Sequence, residues 1–331
     1  MSILKLNNMI CPNCGNENKE SAKFCRVCGK PLHTTAKNQA HSKKSGISPM
    51  LTIAIAIILL VVAVGAIIGY IIYFDTSDVE ILQLNAKDAG DVLQNPQIAA
   101  NMPDSEISHQ ISEAAKSGVP IYKISDGDGP VTLITAGVHG DQLSPQIAAM
   151  ELIDYLDGRK IKGTVYVIPF AAPGATADNT KLSDGSNLNT VADEAGTTSN
   201  DIVNFAKANS VGAVGDFHGT EAGKNPGVTT VMCSKVPTYG SYQLANDMAL
   251  LSLDTTWTYS VAGIQYSGAI EDVCNLNGIP AVTPLVLSVH GQVDETSVEE
   301  SYNQMLALLL ANGNLDPNDS YLNLANADID G

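Results

Sequence analysis

Residues 50–74, from Met50 to Phe74, contain no charged side chain, and this run constrains the 331-residue chain more than any other feature. A helix rises 1.5 Å per residue, so roughly 20 apolar residues cross the hydrocarbon core of a bilayer. The run is long enough to do so with some tilt. It starts too far into the chain, and is too long, for a cleaved signal peptide. The alternative is a buried core helix. Read as a span, it divides the chain between two compartments.

Charge orients the span. The first 50 residues carry eight Lys/Arg and two acids, and the rest of the chain carries ten Lys/Arg and 33 acids. The formal charge of -17 therefore divides into +6 before the span and −23 behind it. Lys43 and Lys44 lie just ahead of the span, and basic flanks stay in the cytoplasm. The sequence predicts a single-pass cell-membrane protein with a cytoplasmic N-terminus and an extracellular C-terminal domain. An acidic ectodomain excludes nucleic acid as its expected partner.

Before the span, Cys11-Pro-Asn-Cys14 and Cys25-Arg-Val-Cys28 are two CxxC knuckles ten residues apart. Gly15 and Gly29 follow them and permit the tight turns that aim the thiolates at one ion. Four thiolates at this spacing suit a tetrahedral structural zinc, held by Cys11, Cys14, Cys25 and Cys28. Disulfides are the rival reading, disfavoured on the reducing side of a membrane. The segment resembles the short zinc ribbons at the N-termini of prokaryotic membrane proteins. So small a module depends on its metal to fold, and a cytoplasmic protein is its expected partner. His33 and His41 read as solvated.

The expected organisation is a zinc ribbon over 1–35, a linker over 36–49, the transmembrane helix over 50–74 and a polar stalk over 75–117. A domain over 118–312 and a tail over 313–331 follow. Within the domain, strands are expected at 131–136, 163–170, 212–217 and 279–289. Helices are expected at 146–156, 200–208, 242–251 and 297–310. This alternation predicts an α/β fold, a three-layer α/β/α sandwich with a mixed, largely parallel sheet. Sites in such sheets form beyond the carboxyl ends of the strands. There the sequence puts His139 and Gln142, His218 within Asp216-Phe-His-Gly, and the loop 178–196. Two histidines at two strand ends are what a mononuclear metal site needs, although each alone could be an ordinary satisfied residue.

Ala136-Gly-Val-His139-Gly-Asp-Gln142 resembles the AGxHGxE motif of the succinylglutamate desuccinylase/aspartoacylase family, within the zinc carboxypeptidase superfamily. Val167-Ile-Pro169, Asp184-Gly-Ser-Asn-Leu-Asn189, Asp216-Phe-His218 and Gly278-Ile-Pro-Ala-Val-Thr283 keep that family's order and spacing over about residues 118–312. The resemblance implies a second zinc, outside the ribbon, on His139, Gln142 and His218. It also implies a substrate-facing Asn189, with Lys181 nearby.

The departures are specific. The family's ligand glutamate is Gln142, its water-activating carboxylate falls on Leu285, and its arginine after Asn189 is Thr190. The ectodomain's one arginine, Arg159, sits in a loop expected at the opposite end of the sheet. Glu221, Glu271 and His290 are the candidates for a replacement base. Cys233 and Cys274 are either a pair or free buried thiols. The aromatic residues Tyr239, Tyr242, Trp257, Tyr259 and Tyr266 are expected to divide between core and pocket rim.

The expected function is a membrane-anchored extracellular zinc-dependent amide hydrolase of the deacylase/carboxypeptidase kind with a degenerate site. Its substrate would be an extracellular peptide or N-acyl amino acid. The alternative is a weak or inactive ligand-binding module of the same fold.

Overall fold

The computed structural model describes residues 8–32, 48–74, 77–252 and 255–318. His33, His41, the Lys43–Lys44 flank, most of the expected linker and the tail beyond 318 lie outside the described residues.

The N-terminal unit contains a small ribbon. Strands β1 (Asn8–Ile10) and β2 (Glu17–Lys19) pair antiparallel. Each knuckle turns at a glycine with positive φ, +72° at Gly15 and +71° at Gly29, a conformation that suits a residue without Cβ. In each turn the glycine N–H bonds back to the first cysteine's carbonyl, Gly15 to Cys11 and Gly29 to Cys25, both at 2.9 Å.

Helix α1 runs from Pro49 to Phe74. Ser48 begins it, its Oγ accepting from the Leu51 N–H, and Pro49 fills the first turn where no donor is missed. Within it, Pro49–Gly69 is long and apolar enough to cross a membrane, with a mean hydropathy of 3.2 and none of the window buried.

The second unit is built on an eight-stranded sheet in the order β3-β4-β6-β5-β7-β10-β8-β9. Its strands are β3 (Asp78–Gln83), β4 (Pro120–Asp126), β5 (Val131–Ala136), β6 (Gly163–Ile168), β7 (Ala213–Thr220), β8 (Thr230–Val236), β9 (Thr256–Val261) and β10 (Ala281–Leu287). Strands β6, β5, β7 and β10 run parallel, and β8 and β9 are parallel to each other. The β3–β4, β4–β6 and β10–β8 pairs are antiparallel. The central strands β5 and β7 are buried on both faces, and β5 accordingly reads as a mostly apolar, β-branched run.

Helices cover both faces, as two apolar clusters record. One cluster gathers α3 (Glu106–Ala115), α4 (Leu143–Leu156), α7 (Tyr239–Leu251) and α9 (Glu295–Ala311). The other gathers α5 (Pro173–Ala177), α6 (Thr198–Ala208) and α8 (Ile270–Leu276). A short helix, α2 (Pro96–Asn101), completes the set among the described residues. The three-layer α/β/α sandwich with a mixed, largely parallel sheet is the observed architecture.

The stalk expected over 75–117 needs correction. Residues 78–83 are the sheet's edge strand, bonded along their length to β4, and Ile107, Ile111 and Ala115 of α3 belong to the core. Asp78 and Glu80 made the segment look solvated, but Glu80 faces Lys123 across the edge at 3.0 Å. Cys233 and Cys274 are both free and buried, and they pack in the two different apolar clusters.

Candidate functional site

The ribbon's four sulfurs converge. Their Sγ atoms all lie within 4.8 Å of one another, with Cys11–Cys28 at 3.7 Å and Cys14–Cys25 at 3.6 Å. A Zn–S bond of about 2.3 Å sets tetrahedral edges near 3.8 Å, so the spacing fits a closed zinc site. Backbone N–H groups of Cys28 and Val27 hold the Cys25 thiol down at about 6, which favours the thiolate a metal requires. Asn18 braces the cluster, its Nδ2 lying 3.6 Å from Cys25 Sγ while its Oδ1 accepts from the Arg26 N–H. The residues fit a structural zinc, with no ligand position left open.

In the second unit a cavity of about 590 Å³ opens where β5, β7 and β10 end. Its walls include His139, Gln142, His218, Asn189, Lys181, Glu221, Glu271 and His290. Every residue proposed from the sequence for this site therefore borders one space. The local turn explains how. After β5 the chain turns at Gly137, with φ +76°, and a Cβ on Gly140 would lie 2.2 Å from the Ala175 carbonyl carbon. That close passage brings His139 inward and sets Gln142 at the start of α4.

The hydrogen bonds of the two histidines are complementary. His139 Nε2 lies 2.9 Å from Asn187 Oδ1, an acceptor, so that nitrogen carries the proton. Its Nδ1 is then a bare lone pair, and it is buried with no partner. Burial, with His218 close by, holds His139 down at about 3, so the ring stays neutral. His218 Nε2 lies 3.0 Å from the buried Asp216 Oδ2, an acceptor, so this nitrogen carries a proton. His218 Nδ1 lies 2.8 Å from Gln142 Oε1, a spacing that two acceptors keep only with a proton or a shared cation between them, and the Gly219 N–H also donates to that oxygen, at 3.1 Å. The two rings stand edge to face with centroids 5.3 Å apart.

His139 Nδ1, His218 Nδ1 and Gln142 Oε1 thus border one space, a donor set that suits a cation. His139, Gln142 and His218 would hold a zinc ion there. Asp216, two residues before His218 on β7, holds that ring from behind.

The other candidates are distributed as follows. Glu271 stands at the start of α8 and is only 7% exposed. Ser234 Oγ and Asn275 Nδ2 both donate to its Oε1, at 2.8 and 2.6 Å. Burial raises its carboxyl to about 7. His290 Nε2 sits 3.5 Å from Gln142 Nε2 and 3.4 Å from the Gly219 carbonyl oxygen, so it borders the ligand set directly. Glu221 and Lys224 lie on the rim loop, and Lys181 is exposed at the opposite wall. Asn189 presents a buried Oδ1 without a partner. Leu285 pairs with His218 in the β10–β7 register and lines the cavity. No arginine lines it, and the Arg159 guanidinium lies over the Tyr155 ring at 4.2 Å. Of the five aromatic residues, Tyr266 reaches the cavity, while Tyr239, Tyr242, Trp257 and Tyr259 stack together beside β9.

Sequence reasoning missed three contributors. Asn187 orients His139, and the signal was its place in Asp184-Gly-Ser-Asn-Leu-Asn189. Asp88, in the supposed stalk, accepts hydrogen bonds from Ser183 and Thr198 and so ties the loop carrying Asn187 to the domain edge. Asp141 lies beside His290, its Oδ2 3.7 Å from Nδ1.

Comparison with known proteins agrees with this geometry. Residues 128–227 match the succinylglutamate desuccinylase/aspartoacylase catalytic domain, and residues 10–32 match a zinc-ribbon domain. A 73-residue stretch is 34% identical to the N-alpha-acetyl-L-2,4-diaminobutyric acid deacetylase of Halomonas elongata, spanning 22% of this chain and 21% of that enzyme. The match thus covers about a fifth of the curated relative's length. An aspartoacylase family protein from Mesorhizobium loti superposes with a TM-score of 0.50 at 19% identity, over 73% of this chain and 69% of that one. The fold is that of the aspartoacylase-like α/β proteins, a zinc-dependent family, and the chain carries a structural zinc ribbon besides.

Proposed function

We propose that this chain is a membrane-anchored, zinc-dependent amide hydrolase of the deacylase/carboxypeptidase kind, with its catalytic domain outside the cell. The observation that carries the reading is the convergence on one cavity of His139 Nδ1, unpartnered because Nε2 faces Asn187, with His218 Nδ1 and Gln142 Oε1. Zinc bound there would polarise the scissile carbonyl and acidify a water molecule.

The chain's own residues supply the rest. Glu271, with a proton affinity near neutrality and a wall position in the same cavity, is the base that takes the water's proton and returns it to the leaving amine. Its Oε1 is occupied by Ser234 and Asn275, which leaves Oε2 for the proton. Asn189 Oδ1 offers an acceptor to a substrate N–H, and Lys181 and Lys224 offer point charges to a substrate anion. A cavity of about 590 Å³ falls in the range that admits a peptide-sized ligand. The substrate class is therefore an extracellular peptide or a larger N-acyl amino acid. The basic flank ahead of α1 supports a cytoplasmic N-terminus, where the ribbon would dock a protein partner.

A second reading has its own support. Leu285 stands where the resembled family has a carboxylate, and no arginine lines the cavity, as expected of a ligand-binding module that has lost turnover. Metal analysis of the purified full chain, with and without His139→Ala, followed by hydrolysis assays on N-acyl amino acids and short peptides, separates the readings. Two zinc ions per chain falling to one in the variant, with zinc-dependent hydrolysis, supports the enzyme. Two zinc ions without turnover of either substrate class favours the binding module. One zinc ion in both proteins ends both.

A further inference from the structure

The cavity has one wall that the proposed chemistry leaves unused, the face of the sheet between His218 and Glu271. Leu285 of β10 is the parallel neighbour of His218 on β7, so this wall begins beside the histidines. Across the antiparallel β10–β8 ladder, Thr283 stands directly opposite Met232. Residues two apart on a strand share a face, so Leu285 and Thr283 leave β10 on one side, as do Met232 and Ser234 on β8. Ser234 donates to Glu271, which identifies that side as the one covered by α8. Opposite side chains in such a ladder stand about 5 Å apart, close enough to make one surface. Leu285, Thr283 and Met232 therefore form a continuous floor, and Ala269, at the N-cap of α8, lines the same cavity.

Positive charge is kept off this floor. The one cation of β8, Lys235, belongs to the other face, where its Nζ lies over the rings of Tyr242 and Tyr259 at 4.6 and 4.9 Å. The cavity's own lysines, Lys181 and Lys224, are exposed and stand on the loops that follow α5 and β7. The ionisable group held beside the floor is Glu271, an acid. An anionic substituent laid over Leu285 and Met232 would give up its water and meet no cation in return. An aliphatic or aromatic one would bury apolar surface there at no such cost.

The base decides which part of a substrate lies on the floor. In the proposed function Glu271 returns the proton to the leaving amine, so the residue carrying that amine lies between the histidines and α8. We propose that Leu285, Thr283 and Met232 are specificity-determining residues, which select amides whose leaving amine carries an apolar, uncharged side chain. Leucine, methionine and phenylalanine are of that class, and aspartate and glutamate are rejected. Lys181 and Lys224 are left at the mouth for the substrate's α-carboxylate or for the chain that follows. The inference rests on the proposed function for the place of the amine, and it names the substrate class of that site.

Binding tests the preference whether or not the site turns over. The full-length protein in detergent, loaded with zinc and its metal counted, is titrated calorimetrically with N-acetyl-L-alanine, N-acetyl-L-leucine and N-acetyl-L-aspartate. Leucine adds three carbons to alanine, so at about 2–4-fold per buried carbon it should bind roughly 10–60-fold tighter. The aspartate compound should bind no tighter than the alanine one. Leu285→Lys should reverse the order of leucine and aspartate. Met232→Thr, a change to a good strand former at a half-buried position, should cut the leucine advantage about 3–10-fold. Any turnover should follow the same order in kcat/KM. Equal affinity for leucine and aspartate in the native protein, or a preference for aspartate, overturns the inference. A leucine preference that both substitutions leave intact overturns it too, because the apolar group then lies elsewhere. Failure of all three ligands to bind a protein that holds two zinc ions has the same consequence. A native chain with one zinc ion ends the proposed function instead, and the three titrations then judge the apolar floor by itself.

Discussion

Glu271→Gln is predicted to stabilise the protein in alkaline solution while removing its proposed base. The carboxyl is nearly buried, and burial with nearby Asp272 and Asp216 raises it from 4.5 to about 7, against the bonds from Ser234 and Asn275. In the unfolded chain the group ionises near 4.5. Between those two values the unfolded chain has released its proton and the folded chain retains it, so stability falls as pH rises. The contribution is fully present below pH 4.5 and is lost by pH 7. At about 1.36 kcal/mol per pH unit, the loss above pH 7 reaches roughly 3.4 kcal/mol. Glutamine keeps an Oε1 that accepts both existing donors, and it never ionises. At pH 8.5 the variant should therefore exceed the native protein by up to about 3 kcal/mol, or roughly 6–12 °C in Tm for a domain of this size. At pH 4.5 the two should melt together. Calorimetry of both proteins across that range is the assay. A difference that does not change with pH, or a native protein that is the more stable at pH 8.5, would refute the argument. Any amide hydrolysis should fall by about 10²–10⁴-fold in the same variant.

Further outcomes follow from the same structure. Cys14→Ser should abolish the dispersed, zinc-dependent NMR signals of residues 8–32, because metal binding and folding are one event in so small a module. Protease added to intact cells should remove the domain beyond residue 77 and spare the ribbon, and protection of the domain would reverse the proposed orientation. Asp88→Ala should lower stability by about 1–3 kcal/mol through the lost bonds to Ser183 and Thr198, and should weaken the second zinc by freeing the loop that carries Asn187; a zinc affinity that stays native would separate the strap from the site. Leu285→Glu should raise zinc-dependent hydrolysis, because the side chain already faces the cavity, and an unchanged rate would show that a carboxylate there cannot reach the reacting water.

The central sheet was legible in the sequence because β5, β6 and β10 are largely buried and show as mostly apolar, β-branched runs, and β7 opens on Ala213-Val214. Strands β3, β4, β8 and β9 were not legible. Strand β9 is largely exposed, and β3 carries Asp78 and Glu80 on the sheet's outer edge, so neither shows the continuous apolar signal. The short helix α8 was hidden for another reason. Glu271, Asp272 and Asn275 are polar yet buried, and only their tertiary partners explain that. In the site, His139, Gln142 and His218 could be found because each is tied to a strand end. The contacts that give them meaning join distant segments: His139 to Asn187 is 48 residues, and Gln142 to His290 is 148. Spacing along the chain carries no record of such pairs.

The departures from the resembled family fit one another once the cavity is seen whole. A glutamate at 285 would approach from β10, directly beside His218 in the sheet register. Leu285 makes that wall apolar instead. The carboxyl with near-neutral proton affinity stands on α8, held from below by Ser234 of β8. If Glu271 is the base, the leaving amine must lie between the two histidines and α8 and not over β10. A substrate turned that way would not need an arginine at position 190, where Thr190 lines the cavity. On the proposed function, loss of the strand carboxylate and loss of the arginine would be one change, a rotation of the substrate about the proposed zinc site.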